Sequence, residues 1–206
     1  MLNFDIFIAG GVMMTPLALV GFICLIIIFD KLIFIINSTK LSKKISDIFD
    51  DQIFNRDKFH KEFLKIKKNN CYYEFLKAID SYENQPIANF ENKLINIAKK
   101  FEKKFGGNLW ILETIITSAP LLGLLGTIFG MSFAFKVMGK DVAISANGIS
   151  TGVAESLIAT AFGLVIAVIS LIAFNYFHKT QNYILDEMEM LGSKIIQHLK
   201  FENNII

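Results

Sequence analysis

Proline occurs only three times in these 206 residues, tryptophan once, cysteine twice and histidine three times. Cys24 falls in an apolar run and Cys71 in a polar region, so the two are not expected to pair. His60, His178 and His198 are scattered and suggest no metal site. A net charge of +2 gives no basis for a nucleic-acid partner. The start, MLNFDIF, has no basic region ahead of its apolar run, and no small-x-small cleavage site follows it. That pattern reads as a retained membrane span rather than a removed signal peptide. GLLGTIFG, Gly123 to Gly130, is rich in glycine but lacks the Lys and Ser/Thr ending of a phosphate loop. No Ser/His/Asp or Cys/His grouping lies where a substrate would reach it. Enzymatic chemistry and a bound cofactor are therefore not expected.

What is abundant is apolar surface. Hydrophobic residues make up 53% of the chain and Phe alone contributes 20, too apolar a balance for a soluble domain of this length. About 20 mainly apolar residues cross the hydrocarbon of a bilayer, and three segments qualify. Ile6 to Phe29 and Thr114 to Phe135 carry no charge, and from 142 to 177 the only charge is Glu155. Fifteen of the 21 Lys and Arg lie between 38 and 110, and three more follow Phe177. The positive-inside rule puts both regions in the cytoplasm, with the N-terminus outside and the C-terminus inside. Lys31 is expected to cap the inner end of span one, and Trp110 and Tyr176 to anchor the inner ends of spans two and three.

The chain then divides into an outer N-terminus with the first span (1–37), a cytoplasmic helical region (38–110), two further spans (111–177) around a short external loop near 136–147, and a cytoplasmic C-terminal helix (178–206). The fold class is all-α, an integral membrane protein whose three spans are extended by a cytoplasmic helical bundle. After Pro86, apolar residues at Ile87, Phe90, Leu94, Ile97, Phe101 and Phe105 keep helical spacing, and Gly106-Gly107 is a plausible stop. Tyr72, Phe75, Leu76 and Ile79 suggest a shorter helix before it. Ile184, Met188, Leu191, Ile195 and Leu199 repeat the pattern in the tail. The same stripes also fit helices lying on anionic lipid.

Within the spans, Gly152, Ser156, Thr160, Gly163, Ala167 and Ser170 share one helical face, and Ala119, Gly123, Gly126, Gly130 and Ala134 share another. Small residues permit the close backbone approach that membrane helices use to associate, so helix packing is the reading for the glycines and alanines. Thr127 and Thr160 fall at similar depth in their spans, and fit a polar lining as well as local satisfaction on a carbonyl one turn earlier. Glu155 is the one acid inside an apolar run. An intramembrane acid usually faces a cavity or a partner. About 22 uncharged residues separate it from His178, however, enough to cross a bilayer, so an outer-interface position fits equally.

APLLGLLGTIFGM (Ala119 to Met131), followed in the next span by GVAESLIATAFGL (Gly152 to Leu164), resembles the signature of the ExbB/TolQ/MotA family. The layout is closest to the three-span ExbB and TolQ branch; MotA-type stators are similar but have four spans. The resemblance implies a homopentameric ring in a bacterial inner membrane, with spans two and three around a central pore. A dimer of a single-span ExbD/TolR-like partner would thread that pore, its aspartate carrying protons. A TonB/TolA-like transducer would receive the work. Thr127, Thr160 and Glu155 match the family's pore-lining positions, and Pro120 matches its span-two proline. Thr151 and Ser170 stand where the family often has proline, so the branch is less sharply defined. A TolQ-like role in envelope maintenance and a self-contained channel with Glu155 titrating are the alternatives. The transported ion is expected to be the proton, with sodium also compatible.

Overall fold

A computed structural model describes residues 11–38, 43–50, 54–82, 86–138 and 145–202. Every regular element among them is a helix: α1 (Met14–Ser38), α2 (Lys43–Asp50), α3 (Arg56–Phe63), α4 (Tyr73–Asp80), α5 (Ile87–Gly106), α6 (Leu109–Met138) and α7 (Ser145–Glu202). Three helices are long and apolar enough to cross a membrane, and they are α1, α6 and α7. Residues 6–10 of the expected first span and 139–144 of the expected outer loop lie outside the described residues. The helices fall into two compact units, one of 1–29 with 108–176 and one of 30–107 with 177–206.

In the first unit the small-residue stripes of α6 and α7 face each other. Gly163 lies against the Ala119 carbonyl, Gly123 against Thr160, Gly126 against Ala159, and Gly130 against Ser156 and Gly152. Residue numbers rise along one helix as they fall along the other, so the pair is antiparallel. α1 runs parallel to α7: Gly21 meets Ile166, and Cys24 Sγ lies 3.0 Å from Ser170 Oγ. Ala119, Ala159 and Ser170 are at most 1% exposed in this seam, whereas Leu121, Phe133, Leu157 and Ile172 are at least 60% exposed. Lipid exerts no hydrophobic drive on helices, so the small side chains turn inward, where backbones can touch, and the large apolar ones turn out. α6 passes through Pro120 without interruption, although proline supplies no N–H to the carbonyl one turn back.

The second unit is an amphipathic bundle. Ile184, Met188, Leu191, Ile195 and Leu199 of α7 are all buried, as are Phe90, Leu94, Phe101 and Phe105 of α5. These stripes are packed on protein rather than presented to a lipid surface. Asn55 caps α3 by accepting from Lys58 N at 2.9 Å, and Pro86 stands at the N-cap of α5. The C-terminal end of α5 is met by a side chain of α1. Lys31 lies within that helix, which continues past it to Ser38. Its side chain, 5% exposed, donates to the Phe105 carbonyl and sits 4.9 Å from the centre of the Phe105 ring. Gln181 Nε2 donates to the Glu102 carbonyl at 3.4 Å. The last-turn carbonyls of a helix have no partners within it, and a cation is favoured there by the helix dipole. That demand draws a lysine inward.

Tyr72, fully buried, donates its hydroxyl to Glu187. Burial, and then this bond, raises the Tyr72 phenol well above its ordinary range. Burial likewise pushes the neighbouring Cys71 thiol up to about 12 from 9.0. Both groups keep their protons in the folded chain at a pH where the unfolded chain releases them. Stability is therefore predicted to be level below about pH 9 and to fall as pH rises beyond it. Denaturation of the parent and of a Cys71→Ala/Tyr72→Phe variant across that range checks this. The variant should lose most of the alkaline decline, and an identical decline in both would refute it.

Candidate functional site: the α6–α7 seam and the Glu155 hollow

Thr160 projects from α7 into the seam. Its Oγ1 lies 3.0 Å from the Gly123 carbonyl on α6 and 3.2 Å from the Ser156 carbonyl on its own helix. The hydroxyl reaches Gly123 because that residue has no side chain to hold the helices apart. An interhelical bond of this kind contributes about 0.6 kcal/mol on average. Thr127 behaves differently. It is half-buried, and its hydroxyl donates within its own helix, to the Leu124 carbonyl at 2.6 Å. Since Thr160 is level with Gly123, Thr127 sits about one turn further along α6. The two threonines are thus offset by a turn rather than side by side. Ser156 is buried in the seam and donates to the Val153 carbonyl at 2.7 Å.

Glu155 is half-buried and lines a cavity of about 530 Å³. Gly11, Val12 and Met13, which lead into α1, form one side of it. Gly130, Ser132, Phe133 and Lys136 of α6 form another. The acid stands in a largely apolar hollow, with a lysine of α6 in the lining and the start of α1 beside it. A helix start favours a nearby anion. Gly11 makes that approach possible. Its φ is +66°, and a Cβ there would sit 3.2 Å from Glu155 Oε2. Sequence reasoning singled out neither Gly11 nor Lys136 for this site. The signals were the Gly10-Gly11 pair ahead of the first helix and a cation directly after the uncharged run of span two.

Gly11→Ala is expected to destabilise the folded chain by about 1–2 kcal/mol through its left-handed backbone, and to displace the Glu155 carboxylate as well. A double-mutant cycle with Glu155→Ala separates the two effects. Coupling between the sites is expected. Strict additivity would show that Gly11 matters for its backbone alone.

A family model described as the MotA/TolQ/ExbB proton channel family matches residues 57–190. The chain belongs to that family. It is 33% identical to a biopolymer transport protein ExbB of Aquifex aeolicus over 52% of this chain and 69% of that one. A putative ExbB-like protein 1 of Synechocystis is 29% identical over 93% of this chain and 76% of its own length. A Tol-Pal system protein TolQ of Pseudomonas aeruginosa is 24% identical over 68% of each. Membership makes this a multi-pass membrane subunit of a proton-driven transport or envelope complex, in a family of channel and motor components. The matched region takes in both signature stretches, and so the α6–α7 seam, Thr127, Thr160 and Glu155.

Proposed function

We propose that this chain is the ring-forming subunit of an ExbB-type motor in a bacterial inner membrane, driven by the proton-motive force and energising TonB-dependent transport. Five copies surround two helices of an ExbD/TolR-like single-span partner, and a TonB/TolA-like transducer receives the work. The N-terminus is outside and the C-terminus cytoplasmic. Thr127, Thr160 and Glu155 belong to the ion pathway. Pro120, Gly123, Gly126, Gly130, Gly152, Ser156 and Gly163 set the packing and give of the α6–α7 hairpin. The observation that carries this reading is where the charges stand. Residues 14–29, 114–135 and 156–177 contain no carboxylate, amine, guanidinium or imidazole; their ionisable side chains are Cys24, a buried thiol hydrogen-bonded to Ser170, and Tyr176. Glu155 lies at one end of its apolar run, so this chain alone offers no carboxylate at the middle of the membrane. A carrier from another chain completes the path. The large apolar faces left outside the seam support neighbouring copies and lipid as its surroundings.

The experiment is native mass spectrometry of the chain co-expressed with its single-span partner, joined to proton-flux assays in vesicles. The proposal expects five-to-two complexes and little flux from this chain alone. Strong flux without a partner, abolished by Glu155→Gln, would instead make it a self-contained channel. Flux that follows sodium rather than pH would overturn the proton assignment.

A further inference from the structure

Three lysines of the second unit converge on one open hollow of about 740 Å³. Lys68 comes from the turn ahead of α4. Lys100 and Lys104 lie one turn apart on the same face of α5. Among the described residues none of the three side chains forms an ion pair or hydrogen bond. Like charges one turn apart repel and destabilise a helix unless an anion is held between them. Two carboxylates, Asp30 and Glu74, share the hollow, leaving an excess of one positive charge.

The opposite wall is apolar. Ile33 and Phe34 of α1 face the hollow only a few residues past the end of the helix's uncharged run at Phe29. Along α1, Ile33 and Ile36 share a face and are 58% and 72% exposed. A short uncovered apolar ridge of that helix therefore adjoins the cluster of lysines. A free phosphate would use the lysines and leave the ridge bare, whereas a phospholipid uses both.

We propose that this hollow seats the headgroup of an anionic phospholipid of the phosphatidylglycerol type. Lys68, Lys100 and Lys104 hold the phosphodiester. Asp30 and Glu74 accept hydrogen bonds from the glycerol hydroxyls, and an acyl chain lies against Ile33 and Ile36. Basic pockets beside membrane helices recognise lipid headgroups by this combination of point charge and apolar wall.

The test uses the full-length chain in detergent micelles doped with dioleoyl-phosphatidylglycerol, with retained lipid counted by native mass spectrometry. One lipid per chain is expected. Lys100→Gln/Lys104→Gln should lower retention roughly 10-fold, and Lys61→Gln/Lys93→Gln, on exposed lysines outside the hollow, should not. Lys68→Gln gives an independent reading should the double variant melt early. Three results would overturn the site: equal retention of dioleoyl-phosphatidylcholine, equal loss in the control pair, or glycerol phosphate displacing the lipid at equal concentration. The last would mark a site for a free anion.

Discussion

Gly163→Leu is expected to abolish recovery of folded protein, and Gly163→Ala to cost about 3 kcal/mol or more. A Cβ at this position would stand 2.5 Å from the Ala119 carbonyl oxygen and 3.2 Å from the Gly123 Cα. Both neighbours are backbone and have no rotamer to yield, so α6 and α7 must part. Because the seam is continuous from Ala119–Gly163 to Ala134–Gly152, separation at one point loosens contacts along its length. Gly192→Ala is the control. Its Cβ would meet Phe75 at 3.5 Å, an ordinary contact, and alanine is the better helix former by about 1 kcal/mol. Thermal melting in detergent reads the contrast. A Gly163→Ala protein melting within about 2 °C of the parent would refute the close-packed seam, since 1 kcal/mol moves a chain of this size by about 2–4 °C.

The second large effect is functional rather than structural. Thr160→Val and Glu155→Ala are each predicted to eliminate proton-driven work while leaving the chain folded and assembled. The structural cost is small in both. Thr160 gives up one shared hydrogen bond of about 0.6 kcal/mol, and valine keeps its shape. Glu155 leaves a hollow with no hydrogen bond to it among the described residues. Activity of the complex, measured as transport dependent on the proton-motive force beside size-exclusion profiles, separates the outcomes. Wild-type activity in both variants, with rings intact, would remove these residues from the pathway. Loss of the ring itself would assign them to packing.

The residues differ in how openly they announce their positions. The α6 and α7 stripes were legible because small residues at three-four spacing have one use in an apolar helix: bringing another backbone close. The buried stripe from Ile184 to Leu199 was legible for the parallel reason that its period is helical and its neighbours are charged. The depth of the threonines was not. Counting from span ends places Thr127 and Thr160 together, but the register is set by which glycine receives which side chain, and Gly123 receives Thr160. Nor was the contact made by Lys31 legible from a charge that follows an apolar run. Its partner, the Phe105 carbonyl, lies 74 residues away.

Composition and periodicity by themselves determined that this chain is helical and that three of its helices suit a membrane; the resemblance of its two signature stretches pointed to the MotA/TolQ/ExbB family. Those properties are local: they depend on hydrophobic length and on spacing within one helix, and a neighbour does not change them. Only the tertiary structure decided that Glu155 stands in a hollow with Gly11 and Lys136, that Thr160 bridges to α6, and that Lys31 turns inward to the end of α5. Each joins groups far apart in the chain, and its energy depends on atoms meeting within about 3 Å, a distance that no one-dimensional pattern contains.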